Sequence, residues 1–202
     1  SLSPTKLVIA GEGGVVATNN ANLAQYIRIA REYGNEGKYD SLFAGLNGRM
    51  PEFSALVGKH SLAQLDEVVS RRNHLAKLYR NHLSEVPGIE FMQVQEEDRC
   101  SYTDFSIVID EEQFGCDRDV LAERLASWGI DTRKYYDPPV HQHTAYCHYS
   151  RQALPRTEAL ASGSLSLPIG HHITDEVLEH VCEAIRRIQQ LATSPTTEAA
   201  LR

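Results

Sequence analysis

The strongest constraint on this chain is a helical pattern of about thirty residues that starts at Pro51 and stops at Pro87-Gly88. Phe53, Leu56, Val57, Leu65, Val68, Val69, Leu75, Leu78 and Tyr79 recur at intervals of three and four, which gathers them on one helix face. Pro51 suits a first helical position, and Gly58 marks a kink or a split. Arg71, Arg72, His74, Lys77, Arg80 and His82 fall mostly on the other face, which reads as solvated rather than as a basic patch.

Beyond that helix the pattern changes to short β runs, Ile89 to Val94 and Phe105 to Ile109, divided by the charged loop Glu96-Glu97-Asp98-Arg99. Asp117 is placed to cap a helix with Leu121, Leu125 and Trp128 toward the core, ended by Gly129, and another strand is expected from Ile130 to Tyr135. Thr174 caps a last helix with Val177, Leu178, Val181, Ile185 and Ile188 as a stripe, and the tail from Thr193 is polar and aperiodic. Strand, strand, helix, strand is the content of a small α/β domain with a mostly antiparallel sheet.

The opening is different in kind. Lys6 is followed by the apolar run Leu7-Val8-Ile9-Ala10, the turn Gly11-Glu12-Gly13-Gly14 and a second apolar run, Val15 to Thr18, expected as a strand. Pro4 fixes one φ and the glycines permit positive φ, so the lysine is presented from a constrained turn. A lysine so held is either a solvated charge or an amine able to bond reversibly to a carbonyl. Asn20 then caps a helix carrying Leu23, Ile27 and Ala30 that ends near Gly34. Residues 34 to 50, rich in Gly, Asn, Asp and Tyr, form a loop of a length that is often functional.

Composition narrows the partners. With 27 acidic against 20 basic residues and a net charge of −7, the chain has no basic stripe for nucleic acid or an anionic membrane. The four cysteines, Cys100, Cys116, Cys147 and Cys182, form no C-x-x-C pair, and there is no long apolar run, so a reduced cytoplasm is the expected location. His141-x-His143-x-x-x-Cys147-His148, with His171-His172, offers zinc-type side chains without a zinc-type spacing, and no metal is expected.

Ser1-Leu2-Ser3-Pro4-Thr5-Lys6 followed by Gly-Glu-Gly-Gly-Val-Val-Ala-Thr resembles the cofactor-lysine segment of the DegT/DnrJ/EryC1/StrS sugar aminotransferases. Leu2, Ser3 and Pro4 depart from the common form Ser-Phe-His-x-x-Lys, while the serine-to-lysine spacing is kept. Gly45-Leu46-Asn47-Gly48-Arg49-Met50-Pro51-Glu52 is similar to the family's Gly-Tyr-Asn-x-Arg-Met-x-Glu. Ile130-Asp131-Thr132 through Pro138, Pro139, His141, Ala145 and Tyr146 is similar to its Gly-Ile-x-Thr…Pro-Pro…His…Ala-Tyr, and Ser166-Leu167-Pro168 matches as well.

The resemblance implies the C-terminal part of a pyridoxal-phosphate-dependent transferase of the aspartate-aminotransferase fold. Residues 1–50 are then the end of the cofactor-binding large domain, 51–86 a long connecting helical region, 87–192 the small α/β domain and 193–202 a flexible tail. It implies that Lys6 bonds to the cofactor aldehyde and shuttles the substrate proton, that the Ser1 hydroxyl donates to the cofactor phosphate, and that Asn47, with Arg49 beside it, reaches the phosphate of a neighbouring subunit in a homodimer with shared active sites. Tyr136, His141 and Tyr146 belong to the substrate-side loop, although His143, Thr144 and Tyr135 stand where the family often has Gln, Pro and His. The expected activity moves an amino group, from glutamate, to a nucleotide-linked keto sugar. Dehydrases of the family lack the lysine, so Lys6 argues for transamination. The residues that would pair with the pyridine nitrogen and stack on its ring precede the lysine in the family, so residues 1–202 alone are expected to be inactive. Two alternatives stay open: an aminotransferase acting on a keto-inositol, and a non-catalytic dimerisation or regulatory piece.

Overall fold

The computed structural model describes residues 1–146, 148–149 and 152–194. They divide into two compact units, Ser1–Glu67 and Val68–Arg202.

In the first unit the chain enters through the lysine turn, forms α1 (Ala21–Ala30), runs through a long loop and forms α2 (Glu52–Ala63). Asn20 caps α1 by accepting from the Leu23 N–H at 3.1 Å. The loop is held by backbone hydrogen bonds: Tyr33 N donates to Leu46 O (3.0 Å), Leu46 N to Ala30 O (2.7 Å) and Gly48 N to Arg31 O (2.9 Å). Two of its glycines are sterically required. A Cβ on Gly34, whose φ is +78°, would lie 1.9 Å from Phe43 O, and one on Gly45 would lie 2.1 Å from Gly34 N.

Val15 to Thr18 is not a strand. Among the described residues nothing bonds to its backbone in a ladder, and Val15 and Val16 are 74% and 66% exposed. Apolar alternation makes a strand only where a partner edge exists. The long helical pattern is divided, but at Gln64 rather than at Gly58: α2 ends at Ala63, and α3 (Leu65–Leu83) follows, with the second unit beginning inside it. Gly58 lies inside α2 with Ala10 packed close to it: a Cβ added at Gly58 would lie 3.3 Å from the Ala10 Cβ.

The second unit contains β1 (Ile89–Phe91), β2 (Phe105–Ile109), α4 (Glu111–Phe114), α5 (Arg118–Ser127), α6 (Pro155–Gly163), β3 (Ser164–Leu167) and α7 (Asp175–Thr193). The sheet is antiparallel throughout with β2 at its centre; Ile89 faces Ile109, Phe105 faces Leu167 and Ile107 faces Leu165. Alternation along β2 sends Phe105, Ile107 and Ile109 into the core with Leu75, Tyr79 and Leu83 of α3, Leu121 and Leu125 of α5, and Leu178, Val181, Ile185 and Ile188 of α7. Each such side chain contributes about 1.5–3 kcal/mol by leaving water. Tyr79 stacks on Phe105 with centroids 5.0 Å apart, and its hydroxyl donates to Pro168 O at 2.8 Å; burial pushes its phenol well above the ordinary range. Burial likewise pushes the Cys182 thiol up to about 12, so it packs as a small apolar group.

Asp117 and Thr174 cap α5 and α7 through their side chains, as their positions predict. Three other expectations change. Ile130 to Tyr135 is not a strand: Arg133 alone bridges to Ser166, through bonds of 3.1 and 2.8 Å, before the chain turns away. Trp128 is the C-cap of α5 and 42% exposed, with the Arg187 guanidinium 5.7 Å above its ring. Val177 is exposed at the rim of the α7 stripe. Two elements carry no clear signal in the sequence. α6 has no apolar stripe, and β3, Ser-Leu-Ser-Leu, reads as half-solvated but is buried at all four positions, because Ser106 Oγ lies 2.7 Å from Ser166 Oγ.

Candidate active site

The lysine turn is built by backbone bonds across its base. Leu2 N donates to Gly13 O (2.9 Å), Ala10 N to Leu2 O (2.8 Å) and Lys6 N to Ser3 O (3.0 Å). Ser61 of α2 fastens the far side, its hydroxyl accepting from Ile9 N at 3.0 Å and donating to Leu7 O at 3.4 Å. Lys6 is therefore held at its backbone, while its side chain is exposed and joined to no carboxylate among the described residues. The Ser1 and Ser3 hydroxyls stand 3.3 Å apart at the start of the same turn.

Asn47 and Arg49 form a second cluster in this unit. Arg49 Nε donates to Asn47 Oδ1 (3.3 Å), its two terminal nitrogens reach Glu32 (3.2 Å) and the Tyr33 hydroxyl (3.0 Å), and its guanidinium lies 5.2 Å from the Tyr33 ring centre. Tyr33 adopts φ +60°, an uncommon conformation for a bulky residue, and its backbone N–H is tied to Leu46 O. The Asn47 amide N–H groups keep their donor capacity. Met50 connects the clusters: its Cε is 3.0 Å from where a Cβ on Gly13 would sit, and Gly13 O holds Leu2. Sequence reasoning singled out Ser1, Lys6, Asn47 and Arg49 but not Glu32 and Tyr33, which hold Arg49 from a distance in sequence and carry no motif.

The remaining candidates gather in the second unit. The second face of the sheet carries Ser106 and Val108 into a cavity of about 440 Å³ that Tyr135, Tyr136, Pro139 and Leu160 also line. Val140 and Thr157 are shared with a neighbouring cavity of about 770 Å³, lined by His141, Tyr146, Tyr149, Gln152 and Leu154. Tyr136, His141 and Tyr146 therefore surround two adjoining hollows of the size that small ligands occupy.

The loop bearing them is anchored by Arg118, a residue that composition and motif did not reveal. Its side chain is almost fully buried; NH2 reaches Asp137 at 2.5 Å, Nε reaches Asp119 at 2.6 Å, and NH1 donates to Ala161 O (3.1 Å) and Ser164 O (2.8 Å). Lys134 closes the set on Asp119 at 2.6 Å. That ion pair with Lys134, then Arg118, holds the Asp119 carboxyl below the usual range. An arginine fork suits this task because it satisfies several fixed acceptors at once.

Of the zinc-type side chains, Cys147 lies outside the described residues. Among the described residues no three His, Cys, Asp or Glu side chains come together as a metal-binding group. Also among them, no helix is long and apolar enough to cross a membrane.

An α/β unit with a three-stranded antiparallel sheet, following a unit that carries an exposed lysine on a pinned turn, is the architecture of a pyridoxal-phosphate aminotransferase's C-terminal part. Residues 1–186 match the DegT/DnrJ/EryC1/StrS aminotransferase family, and the chain belongs to it. It is 35% identical over 178 residues to the dTDP-3-amino-3,4,6-trideoxy-alpha-D-glucose transaminase of Streptomyces venezuelae, covering 87% of this chain and 45% of that protein. It is 32% identical over 175 residues to the dTDP-3-amino-3,6-dideoxy-alpha-D-galactopyranose transaminase of Aneurinibacillus thermoaerophilus, covering 87% of this chain and 46% of that protein. The crystal structure of DesI in the presence of its TDP-sugar product superposes with a TM-score of 0.84 at 34% identity, over 93% of this chain and 48% of that one. The chain spans about half the length of the curated relatives it matches. The aminotransferases of this family depend on pyridoxal phosphate, and the fold is that of these enzymes.

The first unit carries group types that such a cofactor requires: a primary amine at Lys6 and, at the start of the same turn, the Ser1 and Ser3 hydroxyls 3.3 Å apart.

Proposed function

We propose that this chain is part of a pyridoxal-phosphate-dependent aminotransferase that passes an amino group from glutamate to a nucleotide-linked keto sugar in amino-sugar biosynthesis. The observation that carries this reading is the Lys6 side chain, unpaired and exposed on a turn whose backbone is fastened at Leu2, Ser3 and Ser61. A backbone so held places the amine reproducibly, as reversible bonding to an aldehyde demands.

The cofactor, when bound, supplies the electron sink that makes the substrate Cα proton acidic. The chain's own groups do the rest. Lys6 Nζ would hold the cofactor through its aldehyde carbon at rest and, once displaced by the amino donor, would be free to accept the substrate Cα proton and give it up again on the far side of the substrate nitrogen. Ser1 Oγ donates to the phosphate. Asn47, steadied by Arg49 on its carbonyl side, offers its amide N–H groups to the phosphate held by a second copy, which makes the working form a homodimer with shared sites. Tyr136, His141 and Tyr146 receive the sugar, whose apolar ring face suits aromatic side chains. The names of the two transaminases support a nucleotide-linked sugar as the acceptor.

The test is chemical trapping. Incubation with pyridoxal phosphate, reduction with borohydride and peptide mass analysis should place the label on Lys6 and nowhere else, and Lys6→Ala should abolish it while leaving stability within about 0.5 kcal/mol. A label spread over Lys38, Lys59 and Lys134, or one that survives Lys6→Ala, would remove the basis for the reading. Glutamate as donor is checked by amino-group exchange between glutamate and 2-oxoglutarate.

A further inference from the structure

The larger cavity contains one side chain whose hydrogen-bonding direction the structure determines. Glu158 of α6 accepts twice through the same oxygen, Oε1: from the Leu154 N–H at 3.0 Å and at His141 Nε2, 3.1 Å away. The Leu154 amide first, and His141 second, hold the Glu158 carboxyl below its usual range, so it is ionised at neutral pH and can only accept. His141 Nε2 must then carry the proton of this pair. In neutral imidazole that leaves Nδ1 as a bare acceptor, and among the described residues nothing pairs with it. The ring is mostly buried, with 15% of its side chain exposed, and lines the hollow with Val140, Tyr146, Tyr149, Leu154 and Thr157.

We infer that Glu158 is a positioning residue that fixes the His141 tautomer, so that Nδ1 accepts a hydrogen bond from a ring hydroxyl of the sugar and turns its keto oxygen away. This rests on the sugar-acceptor reading above and deepens it. Two lone pairs repel, so a carbonyl oxygen cannot occupy the place a hydroxyl takes at Nδ1, whereas the Tyr146, Tyr149 and Thr157 hydroxyls can meet either group. His141 is thus the one lining group among these that discriminates hydroxyl from ketone. It selects sugars carrying a hydroxyl at the facing carbon, and it sets which edge of the ring is presented for amination.

The experiment uses the protein with 15N-labelled histidine, above the ordinary histidine pKa of about 6.5. Long-range 1H–15N spectra should show His141 protonated at Nε2 and bare at Nδ1. Adding dTDP-3-amino-3,6-dideoxy-α-D-galactopyranose, which carries free ring hydroxyls, should move the Nδ1 resonance, and thymidine diphosphate alone should not. Glu158→Ala should mix the tautomers and weaken the amino-sugar nucleotide about tenfold, the loss of one good hydrogen bond, with thymidine diphosphate unaffected. Glu158→Met, which keeps the side-chain volume and offers no oxygen should the alanine variant fold poorly, should mix the tautomers in the same sense. An Nδ1-protonated ring, an Nδ1 resonance that stays put while the sugar binds, or a probe that does not bind at all would overturn the inference. Should Lys6 be labelled by pyridoxal phosphate while Nδ1 stays put, the aminotransferase reading survives and this refinement falls. Should Lys6 remain unlabelled while the sugar moves Nδ1, the sugar pocket stands and the transfer chemistry falls.

Discussion

The two units keep their structure by different means. In residues 68–202 a sheet and three long helices enclose Leu75, Leu83, Ile107, Leu121, Leu125, Leu178, Ile185 and Ile188 at 0% exposure. In residues 1–67 only Ala10 and Ile29 among the apolar side chains are buried, and α2 leaves Phe53 85% exposed with Leu56 and Leu62 beside it in the open. What orders the first unit is backbone: the bonds around Leu2, Gly13, Tyr33, Leu46 and Gly48, and the close passage of Gly34 by Gly45. A region of that kind holds a defined turn without a core beneath it. A region of the other kind carries a hollow on the back of a packed sheet.

The largest expected effect lies in the second unit. Arg118→Met should destabilise it by about 3–5 kcal/mol, because Asp137 and the Ala161 and Ser164 carbonyls lose a buried cationic partner together. Urea unfolding measures this, and a loss below about 1 kcal/mol would mean the network behaves as a surface pair.

Core truncation separates the units next. Leu75→Ala should cost about 2–5 kcal/mol, whereas Phe53→Ser on α2 should leave unfolding of the same chain within about 0.5 kcal/mol. Equal losses at the two positions would end the contrast between a core-held and a backbone-held unit.

Gly34→Ala sharpens the account of the first unit. Its φ of +78° and the 1.9 Å approach to Phe43 O oblige the backbone to shift, at a cost of about 1 kcal/mol or more. Limited proteolysis should then cut the 34–48 loop faster without altering the melting of the second unit.

The smallest effect is acid sensitivity at the start of α7. His74, first, and Arg71 hold the Asp175 carboxyl below its ordinary value, with contacts of 2.8 and 2.7 Å. A carboxyl depressed in the folded state stabilises the fold above its unfolded pKa of about 3.9 and loses that contribution as the pH falls further. Asp175→Asn should therefore narrow the difference in melting temperature between pH 6 and the acid side of this range, and an unchanged difference would remove Asp175 from the acid response.

Much of this was legible residue by residue wherever the physics is local. Asn20, Asp117 and Thr174 each cap a helix by accepting from an N–H three residues on, a bond that needs nothing beyond its own turn. The lysine turn and the Asn47–Arg49 pair are likewise short-range, so their motifs marked them, and the stripe of α7 reported its own buried face. Val15 to Thr18 and Ile130 to Tyr135 read as strands because alternation is local, whereas pairing is not. β3 escaped notice because its serines are satisfied from afar in sequence, Ser166 by Ser106 of β2 and Ser164 by Tyr135 O.

What the order of residues determined by itself was the α/β content of the second unit and the turn that presents Lys6, since caps, periodicity and turn chemistry act over a few bonds. Only the tertiary structure decided that Arg118 ties a loop 19 residues away to the ends of α6 and β3, and that Glu158 turns His141 so as to leave Nδ1 bare. Those assignments depend on which buried acceptors lie within about 3 Å of a donor, and distance along the chain carries no record of that.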